Sequence, residues 1–229
     1  MSKLITKVRA FVLLITVLAG TSSAQTGLPG CEPGPEVRKV FHEKLSSTDL
    51  NRLKYVDRVA RQHDVLNDLI AKYPLELAPY QRLIDFVRYE ETDQFPALQA
   101  RFRQQAAQHP SDPLALYLAG VVLDGTDTPE SIRLLKEAHL KAPGWAWPNL
   151  KLAEIYSSGQ RVNRENSAEY LRSFLSACPA AADLLTQISI SRLLSRVADP
   201  ALQIRTAAAL RARIASDSVP DHLRAYEPL

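Results

Sequence analysis

The feature that most constrains the fold is a proline that recurs at nearly regular spacing along the chain. Pro74, Pro110, Pro143 and Pro179 stand 36, 33 and 36 residues apart, and each is the second residue of a similar segment. Proline cannot continue a helix, so each one marks a boundary between units. A period of this length is typical of a solenoid, in which a single helix hairpin cannot bury its apolar stripe and neighbouring hairpins share a core.

The apolar residues from Glu36 onward follow the spacing of helices with one buried face. Leu66, Leu69 and Ile70 illustrate the recurrence at three and four residues, and no stretch alternates with a period of two. The sequence therefore predicts an all-α chain without strands.

The repeated segments resemble the tetratricopeptide repeat family, whose unit is about 34 residues long. That family places a small residue in each first helix where the paired helices approach closely, and Gly120 and Ala153 match this position. The first repeat departs from the pattern with Ile84. The third repeat is also similar to the related Sel-like repeats, through Gly159 and Val162. The resemblance implies a right-handed α-solenoid of stacked antiparallel helix hairpins.

The predicted boundaries follow the prolines and the changes in composition. A second helix of the N-terminal hairpin is expected from Thr48 to Tyr73, with Ser47, Thr48 or Asp49 as its cap. The predicted units are a signal peptide at 1–24, an irregular stretch at 25–35, an N-terminal hairpin at 36–73, repeats at 74–109, 110–142, 143–178 and 179–215, and a tail at 216–229.

Residues 1–24 have the pattern of a cleaved secretory signal peptide. Lys3, Lys7 and Arg9 precede an apolar run at 10–20, and small residues follow up to Ala24. A transmembrane anchor is the alternative, but the run is about half of the roughly 20 residues that a bilayer span needs. We therefore expect export to the periplasm or the cell exterior.

The charge balance argues against nucleic acid as a partner. The formal net charge is +3, but Lys3, Lys7 and Arg9 account for three of the 28 basic residues. The other 25 equal the 25 acidic residues, so the chain after cleavage is neutral and lacks a field that attracts phosphates.

The two cysteines leave two readings open. In an oxidising compartment Cys31 and Cys178 could form one disulfide that ties the irregular stretch to the third repeat. Alternatively, Cys178 is a small buried residue and Cys31 is a free thiol. A disulfide requires the two Cα atoms to lie within about 7 Å, which sequence separation does not reveal.

The sequence contains no pattern of a catalytic, metal or cofactor site. His42 and Glu43 begin a metalloprotease-like string, but Ser46 stands where the second histidine belongs. There is no Cys-x-x-Cys pair, no phosphate-binding glycine loop and no Gly-x-Ser-x-Gly elbow. We therefore expect a non-catalytic protein without a cofactor.

The resemblance implies a binding face formed by the first helices of successive repeats. Tyr117 and Trp147 are the expected anchors, because aromatic side chains contribute large contact area at low entropy cost. Trp145 and Trp147 filling the junction between repeats is the alternative. The family's carboxylate clamp is missing, since its positions hold Gln81, Tyr117, Leu150 and Thr186. The candidate partner-binding residues are Gln81, Asp85, Arg88, Tyr117, Val121, Asp124, Trp147, Leu150 and Glu154.

The expected function is that of an exported scaffold that binds a protein or peptide partner. An alternative is an accessory module of an exported, thioredoxin-like redox system, suggested by the two cysteines. A third possibility is glycan binding through Trp145 and Trp147.

Overall fold

The structure, a computed structural model, describes residues 27–45, 50, 52–158, 162–178, 193, 195–196 and 199–214. In this part of the chain there are nine helices and no strand, so the all-α prediction is confirmed. The helices are α1 (Pro35–Lys44), α2 (Tyr55–Lys72), α3 (Leu77–Glu90), α4 (Phe95–Gln108), α5 (Pro113–Leu123), α6 (Thr128–Lys141), α7 (Trp147–Ser157), α8 (Arg164–Ala177) and α9 (Pro200–Ile214).

The repeat prolines act as predicted from proline chemistry, and they impose the same backbone geometry at every junction. The residue before each proline has left the helical region, because the proline ring disfavours that conformation in its predecessor. Its N–H still bonds to the carbonyl four residues earlier. The φ and ψ angles are −129° and 65° at Tyr73, −126° and 61° at His109, −140° and 74° at Ala142, and −128° and 66° at Cys178.

The chain then turns directly into the next helix. The carbonyls of Tyr73, His109 and Ala142 each accept a hydrogen bond at 3.0 Å from the N–H three residues later. Equal turns at equal positions show that the repetition seen in the sequence is a repetition of structure. They also keep the connections short, so consecutive helices pack against each other from α2 to α8.

The core runs without interruption through these helices. Its largest fully buried side chains come from every helix between α2 and α9 except α5, as expected when neighbouring hairpins share one apolar interior. They are Leu66, Leu83, Ile84, Phe102, Leu135, Leu152, Leu171, Phe174 and Leu202. A smaller cluster of Val37, Val65 and Leu69 packs α1 against α2.

The small residues predicted in the first helices lie where two helices approach closely. A Cβ atom on Gly120 would come within 2.7 Å of Cγ of Leu135 on α6. The Ser131 hydroxyl donates to the Gly120 carbonyl at 2.6 Å, and the Ser167 hydroxyl donates to the Ala153 carbonyl at 2.8 Å. The α5–α6 and α7–α8 hairpins are therefore each joined by a buried hydroxyl-to-backbone bond at the small residue.

One predicted boundary is wrong, and several predictions lie outside the described residues. The helix α2 begins at Tyr55 after Lys54, not at Thr48, and no side chain caps it. The signal peptide at 1–24, the caps at 47–49, most of the repeat at 179–215 and the tail at 216–229 fall on residues that the structure does not describe. The handedness of the stack stays a prediction. Among the described residues, no helix is long and apolar enough to cross a membrane.

Candidate functional site

The candidate residues come together on one face, which is formed by α3, α5 and α7. Gln81 Nε2 lies 3.3 Å from the Tyr117 hydroxyl, and Arg88 donates to the Val121 carbonyl at 3.0 Å. Lys151 on α7 reaches the carboxylate of Asp124 at 2.8 Å. These contacts join α3, α5 and α7, which are the first helices of three successive predicted repeats. We call this surface the inner face.

Residues 27–34, here called the lead segment, lie across one end of the inner face. The segment has no regular secondary structure. The indole Nε1 of Trp145 donates to the Pro29 carbonyl at 2.9 Å, and that of Trp147 donates to the Gly30 carbonyl at 2.8 Å. Two adjacent carbonyls of the lead segment thus accept hydrogen bonds from the indole N–H groups of two tryptophans that stand two residues apart.

The lead segment is anchored at both ends of this contact. A disulfide joins Cys31 to Cys178, with 5.6 Å between the Cα atoms. At the other end, the N–H of Gly34 donates to both carboxylate oxygens of Glu76, at 3.1 and 3.0 Å. The bonds to Glu76 are charge-assisted and therefore stronger than neutral ones.

The fit between the lead segment and the helices is close. Leu28 and Cys31 pack against the main core. The cleft that remains beside the segment has a volume of about 10 Å³, room for about one water molecule. It is lined by Pro29, Gly30 and Pro33 on one side and by Leu77, Gln81 and Trp147 on the other.

The aromatic side chains proposed as anchors are buried beneath this segment. Trp145 and Trp147 are each 5% exposed, and Tyr117 is 2% exposed. Tyr117 packs edge-on against Trp145, with 5.0 Å between ring centroids, and Trp147 packs likewise against Phe174 of α8 at 5.8 Å. The two tryptophans therefore fill the repeat junction and also bind the lead segment. Glycan binding through them would need open ring faces, which this arrangement does not provide.

The other end of the inner face is charged. Lys151 lies between Asp124 and Glu154, at 2.8 and 3.2 Å. Burial favours the neutral form of Lys151, but Glu154 and Asp124 outweigh that effect and raise its pKa above the usual value. Lys151 therefore stays protonated. The pKa of Asp85 is also raised, because nearby protein atoms reduce its hydration, and Arg88 and Lys151 only partly oppose this.

The inner face has two kinds of surface as a result. The end around Trp145 and Trp147 is covered by the lead segment. At the charged end Asp85 is exposed and Arg88, Asp124 and Glu154 are half-buried, so these side chains reach solvent. Val121 and Leu150 are buried, with 8% and 6% exposed. Within the described residues, no three His, Cys, Asp or Glu side chains stand together as a metal site would require.

Sequence reasoning missed two participants in this site. Glu76 stands in the turn before α3, and Lys151 lies within α7. Glu76 acts through a main-chain N–H of the lead segment, which no residue pattern encodes. Lys151 could have been found from its position between the candidate residues Leu150 and Glu154.

No protein-family model matches the chain, and no curated protein matches it. Two crystal structures of MamA are similar in fold to part of it. The first has a TM-score of 0.41 and 12% sequence identity, and the match covers 70% of this chain and 86% of that one. The second has a TM-score of 0.40 and 13% identity, and the match covers 81% of this chain and 99% of that one.

Proposed function

We propose that the protein is an exported, non-catalytic scaffold of tetratricopeptide-like repeats that binds an extended segment of a partner protein on its inner face. One observation carries this proposal: the inner face already holds a peptide without regular secondary structure, the lead segment, through side chains that bond to its main chain. A surface with this chemistry is suited to a second peptide.

The recognition chemistry favours peptides in general over small molecules. The indole N–H groups of Trp145 and Trp147 donate to carbonyls that every peptide carries, and the carboxylate of Glu76 accepts a main-chain N–H. Large aromatic rings add contact area at low entropy cost, as at other protein interfaces. Side-chain selectivity then comes from the charged end, where the carboxylates of Asp85, Asp124 and Glu154 lie beside the cations of Arg88 and Lys151.

Export is supported by two independent features. Residues 1–24 have the charge and hydropathy pattern of a signal peptide. The disulfide between Cys31 and Cys178 belongs to an oxidising compartment, because cytosolic reductants keep most thiols reduced. N-terminal sequencing of the protein purified from its host should start at Gln25. Recovery of an intact Met1 terminus from the cytosol would contradict export.

Site-directed photo-crosslinking tests the binding face. A photoreactive amino acid replaces Asp85, which is exposed on the inner face, or Glu169, which is exposed on α8, a helix outside that face. Both positions are acidic and accessible, so the two variants should fold equally well. We expect a discrete crosslinked partner from position 85 and none from position 169. The same yield from both positions, or none from either, would refute the inner face as the binding surface.

A second function is favoured by the disulfide alone. Cys31 is half-buried and its bond to Cys178 joins distant parts of the chain, as in a protein that exchanges disulfides with an exported redox enzyme. Trapping with a thioredoxin-like protein that lacks its resolving cysteine distinguishes this role. A stable mixed disulfide with Cys31 would support it, and no trapped species would exclude it.

A further inference from the structure

The lead segment is bound as a separate peptide ligand would be. Its contacts with the inner face come from main-chain atoms of Pro29, Gly30 and Gly34 and from the apolar side chain of Leu28. It adds no helix and no strand to the stack. The segment therefore contacts the inner face without belonging to any of the described helices.

The disulfide holds this occupant in place. It joins Cys31 of the lead segment to Cys178 at the end of α8, across 147 positions of sequence. Cys178 is 2% exposed, whereas Cys31 is only half-buried, so an attacking thiolate reaches the sulfur of Cys31 first. Beyond Gly34 the segment continues directly into α1, so the disulfide is its one covalent tie to the third repeat.

Building on the function proposed above, we propose that the lead segment is a removable cover over a peptide-binding site, latched by the Cys31–Cys178 disulfide. Reduction by a dithiol releases the cover, and an extended peptide of the same chemistry takes its place. That chemistry is an aliphatic residue, then a residue no larger than proline, then one further residue, and the carbonyls of the last two bond to Trp145 and Trp147.

The opening step balances as a thiol–disulfide exchange. One thiolate of the dithiol attacks Sγ of Cys31 and forms a mixed disulfide, and Cys178 leaves as a thiolate that takes up a proton. The second thiolate of the reductant then attacks its own bonded sulfur. Cys31 leaves as a thiol, the reductant becomes a disulfide, and two electrons and two protons have passed to the protein.

The size of the site restricts the incoming peptide. Pro29 is buried and the cleft beside it leaves only about 10 Å³, so a larger side chain at this position has little room. Gly30 is exposed, and a Cβ atom there would meet nothing closer than 3.8 Å, so the next position accepts other residues. The residue before them must be apolar, because Leu28 packs against the core. A released cover remains tethered at α1 and competes at an effective concentration of roughly millimolar order. Reduction alone should therefore open the site only in part.

The first experiment measures the opening on the chain from residue 25 to 229. The indole N–H groups of Trp145 and Trp147 are followed by hydrogen exchange in NMR spectra, before and after treatment with dithiothreitol. We expect both to exchange at least ten-fold faster after reduction, while amides of the buried helix α5 keep their protection. Unchanged indole exchange in the fully reduced protein would overturn the latch.

The second experiment measures binding of a fluorescent peptide with the sequence of residues 26–34 and Ser in place of Cys31. The protein is the wild type, oxidised or reduced, and the variant Leu28→Asp with Cys31→Ser, whose cover no longer docks. Fluorescence anisotropy should show no binding to the oxidised protein, weak binding after reduction, and binding at least ten-fold tighter to the variant. The matched control peptide carries Leu28→Asp and should not bind.

A further variant tests whether the indole N–H of Trp147 donates a hydrogen bond to the bound peptide. Trp147→Phe keeps the ring beside Phe174 but removes the N–H that bonds to the Gly30 carbonyl. Loss of one hydrogen bond should weaken peptide binding about five-fold in the uncovered variant. Equal affinity would overturn the assigned contact. Failure of the peptide to bind a folded, uncovered variant would overturn the site itself.

The outcomes separate this inference from the proposed function. If a partner crosslinks to position 85 but the peptide never binds, the scaffold function stands and the cover is merely part of the fold. If the peptide binds after reduction and no partner crosslinks, the cover is right and the binding of a partner along the whole inner face is wrong.

Discussion

Replacing Gly120 by alanine should destabilise the protein, against the usual preference of a helix for alanine. The new Cβ would lie 2.7 Å from Cγ and 3.0 Å from Cδ2 of Leu135, and 3.2 Å from the carbonyl oxygen of Ser131. Leu135 is fully buried and Cγ is not the mobile end of its side chain, so it cannot move aside freely. The helices α5 and α6 must therefore separate.

The expected size follows from three contributions. Overpacking a core costs about 1–3 kcal/mol. Separating the helices also weakens the 2.6 Å bond from the Ser131 hydroxyl to the Gly120 carbonyl, which costs about 1 kcal/mol. Alanine in place of glycine in a helix returns about 1 kcal/mol. The net loss in free energy of unfolding should be about 1–3 kcal/mol.

Urea unfolding followed by circular dichroism measures this loss in the oxidised protein. The decisive comparison is the same substitution in a Leu135→Ala background, where the colliding side chain is gone. There Gly120→Ala should be neutral or should stabilise by up to about 1 kcal/mol. The reasoning is refuted if Gly120→Ala stabilises the wild type, or if its effect is the same in both backgrounds.

Three further changes test the remaining parts of the structure. Ser167→Ala removes the buried hydroxyl that joins α7 and α8 and should cost about 1 kcal/mol in urea unfolding, whereas the exposed control Ser176→Ala should change nothing. Asp85→Asn should raise the free energy of unfolding at pH 7, because the raised pKa of Asp85 means that folding disfavours its ionised form. This gain in stability should vanish as the pH falls below the usual pKa of 3.8, where the carboxyl group is protonated in both states. A gain that grows on acidification would contradict the predicted sign. Glu76→Gln should lower stability at pH 7 by about 1 kcal/mol and speed the exchange of the Gly34 amide, because the charge-assisted bonds are lost; unchanged exchange would refute the anchoring role.

The repeat and the helices were readable from the sequence because they depend on local chemistry. A proline restricts the residue before it whatever surrounds the pair, so the same bend recurs at Tyr73, His109 and Ala142. Apolar residues at helical spacing predict a buried face without saying which neighbour covers it. The small residue at Gly120 likewise predicted a close helix contact, and the structure supplies its partner, Leu135.

The start of α2 could not be predicted in the same way. Ser, Thr and Asp at 47–49 predicted an earlier start, but they lie outside the described residues, and α2 itself begins at Tyr55 after Lys54 without a side-chain cap. Cap preferences contribute only about 1 kcal/mol. Packing of Val65 and Leu69 against α1 stabilises the helix without a cap.

The arrangement of the inner face depends on contacts between distant parts of the chain. Composition predicted an irregular stretch around the first cysteine, but the bonds from Trp145 and Trp147 join residues 116 and 117 positions apart, and they use carbonyls that carry no residue identity. Pairing of Cys31 with Cys178 likewise requires the stacked hairpins to bring the end of α8 back to the lead segment. Local chemistry therefore specifies the helices and their period, whereas the covering of the inner face arises only when the folded chain places main-chain atoms beside side chains from a distant helix.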